Sequence, residues 1–160
     1  MASDLNFDDW LALTQLYADY ASAVDSGQWD LWPEFFTDDC VYRLQPRENH
    51  ERGFPLATLS FTSKGMLKDR VFGIRETLFH DPYYQRHVVG TPIVRGVEAG
   101  RFRCEANYAV FRTKLSDAST VFNVGRYLDV VVRTPAGLKF ASRECIYDSE
   151  MIPNSIIYPI

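Results

Sequence analysis

Three histidines, three cysteines and nine glycines are few reactive or phosphate-cradling residues for 160 positions, and none of them clusters. Cys40, Cys104 and Cys145 are far apart and odd in number, which gives no disulfide framework and points to reduced, buried thiols. A Rieske centre needs two Cys and two His in paired short spacings, and here no His lies within three residues of a Cys. A mononuclear iron site needs two His and a carboxylate. His80-Asp81 with His87 is the nearest such set, and it straddles a helix end and a strand. No Gly-x-Ser-x-Gly elbow occurs, and Gly96 and Gly100 stand too far apart, with no helix after them, to form a phosphate loop. Charge of one sign is also missing. Seventeen basic and 21 acidic residues leave −4, without a basic block, so nucleic acid and anionic membrane are poor partners. No apolar run approaches the roughly 20 residues of a membrane span. Met1-Ala2-Ser3-Asp4 lacks the cationic and apolar regions of a signal peptide, so a cytoplasmic location is expected.

Aromatics are plentiful, with 11 Phe, 9 Tyr and 3 Trp. They suit a large core, a lined pocket or a subunit interface. The length fits one domain over residues 1–160. Residues 6–26 read as an amphipathic helix, with Trp10, Leu13, Tyr17, Tyr20 and Val24 on one face, Asn6 as cap and a left-handed Gly27 at its end. A short helix is expected from an Asp30 cap with Pro33 in its first turn, then a turn at Thr37-Asp38-Asp39 and a strand from Cys40 to Leu44. Residues 45–62 read as a long loop broken by Pro46, Gly53 and Pro55. Ser63 opens a third helix with a stripe of Leu67, Val71, Ile74 and Leu78; Gly73 lies inside it and Asp81-Pro82 stops it.

From Tyr83 the period becomes two. Phe102, Cys104, Ala106, Tyr108 and Val110 alternate with polar residues. Turns at Glu98-Ala99-Gly100, Asp117-Ala118-Ser119 and Pro135-Ala136-Gly137 imply four long antiparallel strands, with a bulge or bend at Gly125. Helices first and strands afterwards predict an α+β fold, in which a bent antiparallel sheet wraps the N-terminal helices into an open-mouthed cone.

Two groups of residues stand out chemically. His87 on a strand and Asp25 at the end of the first helix could meet inside the cone, with Tyr17, Tyr20, Asn107 and Tyr147 as neighbours. Such a pair could move protons near neutral pH, or simply hold a histidine in place. Lys64, Lys68, Arg70 and Arg75, together with Arg47 and Arg52 of the loop, form either a solvated face or a subunit interface. The apolar C-terminal tail 151–160, with Ile152, Ile156, Ile157, Tyr158 and Ile160, reads either as a docking patch or as a segment folded back on its own sheet.

The segment Trp10-Leu11-Ala12-Leu13…Tyr17…Tyr20-Ala21…Asp25-Ser26-Gly27-Gln28-Trp29-Asp30…Trp32…Phe36-Thr37-Asp38-Asp39-Cys40-Val41-Tyr42 resembles the opening of the small (β) subunits of aromatic-ring-hydroxylating oxygenases. Asp69-Arg70-Val71…Ile74-Arg75-Glu76-Thr77, then Pro82-Tyr83…Arg86-His87-Val88-Val89-Gly90, then Asn123-Val124-Gly125-Arg126-Tyr127, extend the likeness over nearly the whole chain. Pro46-Arg47-Glu48-Asn49-His50-Glu51-Arg52-Gly53, Ser63-Lys64-Gly65-Met66-Leu67 and Ile152-Pro153-Asn154-Ser155 are similar to the small subunits of salicylate 5-hydroxylase and, next, terephthalate dioxygenase. The resemblance implies a cone like nuclear transport factor 2 and the SnoaL-like proteins. It implies a structural, non-catalytic subunit of an oxygenase for an aromatic carboxylate such as salicylate. It also implies a large (α) subunit partner in an α3β3 assembly. That partner would carry a Rieske [2Fe-2S] cluster and mononuclear Fe(II), with NAD(P)H electrons arriving through a reductase and sometimes a ferredoxin. No cofactor or metal is expected in this chain, and Arg47, Arg52, Arg70, Arg75 and the tail are the expected subunit contacts. Cone dehydratases and isomerases that use a pocket Asp–His pair are the alternative, through Asp25 and His87.

Overall fold

A computed structural model describes residues 5–152 and 155–160. Met1–Asp4, and Pro153-Asn154 within the tail motif, lie outside the described residues. Helix α1 runs Phe7–Asp25, capped by the Asn6 side chain, which accepts from the Asp9 N–H at 2.8 Å. Its end is a Schellman motif: Gln28 N–H bonds Ala23 O, Gly27 N–H bonds Val24 O, and Gly27 takes φ +66°. Leu13, Tyr17, Tyr20 and Val24 are buried as the periodicity predicts. In the first turn it is Asp9 that faces inward, paired with Arg133, while Trp10 is partly exposed.

The next expectations need correction. The helical piece is a 3-10 turn, Trp32–Phe35, preceded by Leu31 without a side-chain cap, because the Asp30 carboxylate is taken by Arg75 at 2.7 and 2.9 Å. Thr37-Asp38-Asp39 is not a turn. It lies in a register irregularity of strand β1 (Phe36–Pro46). The expected loop 45–62 contains helix α2 (Arg47–Glu51) and strand β2 (Leu59–Phe61). Helix α3 (Lys64–Phe72) is capped by Ser63 as predicted. At Gly73 the chain widens into a π turn, Gly73–Thr77, where Leu78 N–H bonds Gly73 O at 2.7 Å, so the helix ends before Asp81-Pro82.

The strands are β3 (Tyr84–Val89), β4 (Ile93–Glu98), β5 (Arg101–Thr113), β6 (Thr120–Thr134) and β7 (Gly137–Tyr147). The first predicted strand is split at Gly90–Pro92, and both halves pair antiparallel with β5. The sheet order is β2-β1-β7-β6-β5-β3, with β1 parallel to β7. Ala99 and Gly100 both take positive φ in the β4–β5 turn, as a tight hairpin requires. Register slips at Val110/Phe111 and Val130/Val131 bend the long strands around α1. The inward residues Phe102, Cys104, Ala106, Tyr108 and Val110 are all buried. Tyr17 and Tyr20 of α1 meet Phe140 of β7 edge-on at 5.6 and 5.7 Å. The result is the α+β cone.

Gly125 is not the bend. It sits in unbroken register, where a Cβ would collide with the Ile146 carbonyl and stand 2.8 Å from Tyr147 Cα. Glycine is needed there because β6 and β7 come too close for a side chain. Gly125→Ala is expected to destabilise the chain by about 3 kcal/mol, the upper end of overpacking costs. A chemical-denaturation midpoint equal to wild type would contradict the close approach.

Candidate functional site

Asp25 and His87 do meet. Asp25 is the last residue of α1, and His87 faces inward on edge strand β3. His87 Nδ1 lies 2.6 Å from Asp25 Oδ1, and the His87 backbone N–H donates to Oδ2 at 2.8 Å. Both carboxylate oxygens are thereby engaged by one residue. The imidazole is 0% exposed and its Nε2 has no partner among the described residues. The second contact has a structural meaning: β3 ends the sheet, and Asp25 occupies an N–H on its open edge, which would otherwise template another strand. A shallow cleft of about 410 Å³ runs beside the pair between α1 and the β3–β4 bend, bordered by Thr14, Ser22, Arg86 and Thr91.

The expected neighbours are engaged elsewhere. Tyr17 OH binds Asp129, Tyr20 OH donates to Ile160 O at 2.8 Å, Tyr147 OH and Thr58 Oγ1 are hydrogen-bonded at 2.6 Å, and Asn107 faces solvent. Among the described residues, none hydrogen-bonds the pair.

The polar centre of the cone is instead Arg143, fully buried and directly opposite Asp129 across the β6–β7 ladder. Its Nε and an Nη donate to the Asp129 carboxylate at 3.1 and 2.7 Å. Its guanidinium carbon sits 3.8 Å from the ring centre of Tyr127, 4.0 Å from Phe140 and 4.3 Å from Tyr20. Burial pushes the Asp129 carboxyl above its usual range, and Arg143 pulls it back. Burial is the largest single influence against the Arg143 cation, but Asp129, Tyr127 and Tyr20 together outweigh it and hold the guanidinium charged. Burial and then Asp129 raise the Tyr17 hydroxyl, which stays protonated and donates. The sequence reading missed this group. Its signal was present: Asp129 and Arg143 both fall at inward positions of adjacent period-two strands.

The tail reading also needs correction. Ile156, Ile157 and Ile160 are buried in this chain's own core, not displayed, and the tail adds no strand to the sheet. Ile160, 0% exposed, closes the cone: its backbone oxygen accepts from Tyr20 and Tyr42 hydroxyls, and its N–H donates to Tyr42 Oη at 3.0 Å. Arg70 donates to Ile156 O and Ile157 O, both at 3.0 Å, and Gln85 to Pro159 O. Tyr158 stacks on Trp29 at 4.8 Å and meets His80 Nε2 at 2.8 Å. Burial lowers the Arg70 pKa from its ordinary value, and no carboxylate offsets this. Arg70 is therefore an internal clamp. Arg75 binds Asp30, Arg47 binds Glu51 and Asp148, Arg52 binds Glu48, and Ile152 is half-buried.

All three cysteines are free and buried. Burial pushes the Cys40 thiol up to about 11 and those of Cys104 and Cys145 to about 12. The thiol form is thus favoured in the fold. The stability it contributes is complete below the ordinary value of 9.0 and is lost as pH rises toward 12. Native protein at pH 8 is expected to leave all three thiols unlabelled by Ellman's reagent, and denatured protein to label three. A fast-reacting native thiol would contradict this burial.

Among the described residues, no three His, Cys, Asp or Glu side chains come together as a metal centre requires, so the residues present do not fit an iron site. No described helix is long and apolar enough to cross a membrane.

The SnoaL-like domain family matches residues 6–144. The anthranilate 1,2-dioxygenase small subunit of Burkholderia cepacia is 32% identical over 151 residues, 94% of each chain. Subunit β1 of the terminal oxygenase of terephthalate 1,2-dioxygenase from a Comamonas species is 30% identical, covering 89% of this chain and 93% of that one. A crystal structure from Novosphingobium aromaticivorans, assigned as the β subunit of an aromatic-ring-hydroxylating dioxygenase, superposes with a TM-score of 0.87 at 34% identity, covering 94% and 96%. With the cone, its filled centre and identity along almost its full length, the chain belongs to the SnoaL-like family and, within it, to the small subunits of aromatic-ring-hydroxylating dioxygenases.

Proposed function

We propose that this chain is the non-catalytic small subunit of a terminal oxygenase acting on an aromatic carboxylate, and that it stabilises an iron-bearing large subunit in an α3β3 assembly. One observation carries the non-catalytic part. The cone interior, where a stand-alone enzyme would hold its substrate, is filled by Arg143, Asp129, Tyr17 and Ile160. The relatives are subunits of dioxygenases named for anthranilate and terephthalate, both aromatic carboxylates, and that shared chemistry supports the substrate class, salicylate included. The Rieske cluster, the mononuclear iron and the electrons from NAD(P)H belong in this reading to the large subunit and its reductase, with or without a ferredoxin. Arg47, Arg52 and Arg75 are proposed as peripheral contacts, together with Ile152 and Tyr158.

Reconstitution tests this. Large subunit and reductase, with this chain added, are expected to hydroxylate an aromatic carboxylate and consume NAD(P)H, while the chain alone turns over nothing. Turnover of a small cyclic substrate by the isolated chain, abolished by His87→Ala, would overturn the reading in favour of a dehydratase or isomerase. That second reading is favoured by one observation, the 2.6 Å contact of Asp25 with His87. Against it stand an imidazole with no exposed surface and a carboxylate already shared with a backbone N–H.

A further inference from the structure

The outer face of the sheet has two unlike halves. At one end its charges are matched within the chain: Arg95 and Arg126 both bind Glu105, at 3.0 and 3.5 Å, and Arg103 binds Glu98 at 3.2 Å. At the other end the cross-strand rows are Arg86–Phe111–Val121 and Val88–Ala109–Val124. There Tyr84 is 75% exposed, Val88 58% and Val121 59%, in one continuous three-strand surface. Arg86 stands on the edge strand between Tyr84 and Val88, exposed, and its guanidinium makes no hydrogen bond or ion pair to any described residue. Asp25, beside the same strand edge, has both oxygens on His87.

We infer that this apolar half-face is where the large subunit docks, presenting an apolar surface that carries a carboxylate to Arg86. The inference rests on the small-subunit reading and deepens it. An arginine without a counter-ion, flanked by exposed aromatic and aliphatic side chains, has the composition favoured in protein interfaces. The missing element is one negative charge, which the partner supplies. A second copy of this chain in a two-fold contact centred there would set Arg86 against Arg86, which disfavours a symmetric self-contact. Strand addition at β3 is blocked, because Asp25 already accepts from its edge. The contact is therefore made by side chains on the face.

The test is binding of the chain to its cognate large subunit, followed by sedimentation velocity, with Arg86→Glu, Arg86→Gln and Val121→Asp. All three change exposed side chains, and an unchanged melting temperature verifies the fold of each. Each variant is expected to weaken binding at least about tenfold, with Arg86→Glu the most affected. Wild-type affinity in the folded variants overturns the docking face and leaves the small-subunit reading standing. A wild-type chain that does not bind the large subunit removes that reading and this inference with it. A chain that dimerises alone and is split by Val121→Asp assigns the face to a second copy, and also overturns it.

Discussion

Arg143→Ala is expected to cost roughly 3–5 kcal/mol of folding stability, and Asp129→Ala a similar amount, because each strips a buried ionisable group of its partner. The Arg143 guanidinium has aromatic faces on several sides and one carboxylate. Without Asp129 the cation would have lost its water with no anion in exchange. Without Arg143, the Asp129 carboxyl, already pushed up by burial, would protonate and leave Tyr17 with a poorer acceptor. The double variant Arg143→Met/Asp129→Leu is expected to cost much less than the sum of the losses of Arg143→Met and Asp129→Leu made singly. Urea denaturation of the four proteins measures the coupling. Additive losses would mean that the two groups do not act as a pair.

Deletion of residues 155–160 is expected to prevent folding of the chain. Ile156, Ile157 and Ile160 are buried, and full burial of such side chains is worth roughly 1.5–3 kcal/mol each. The deletion also removes the groups that satisfy Tyr20, Tyr42, Arg70 and Gln85. Against a net stability of about 5–15 kcal/mol, a loss of roughly 5 kcal/mol or more leaves little fold. Circular dichroism and solubility of the truncated chain test it. A truncated chain that melts like the full one would mean the tail is an appendage after all.

The periodic parts of the molecule were legible in the sequence. Helix α1, the Asn6 and Ser63 caps and the inward row from Phe102 to Val110 follow from patterns of 3.6 and 2 that burial dictates. Asp25 and His87 were legible as candidates, but their meeting depends on where β3 lies beside α1, which no local pattern encodes. The tail misled for a related reason: apolar content says that a segment will be covered, not by what. Its cover is the cone mouth, assembled from Tyr20, Tyr42, Arg70 and Gln85, which lie far from it in the chain. Arg143 and Asp129 were overlooked because charged residues on strands usually face water. Only the register of β6 with β7 sets them opposite each other. Gly125 was noticed, but its cause is the approach of a neighbouring backbone, which is a tertiary fact.

The proposed subunit role makes this cone one half of an enzyme whose chemistry is on another chain. Native mass spectrometry of the chain co-expressed with its large subunit tests it most directly. A single complex with equal numbers of the two chains, three of each, with iron detected only in the complex, is expected. A chain that stays apart from the large subunit, as a monomer or dimer of itself, would contradict it.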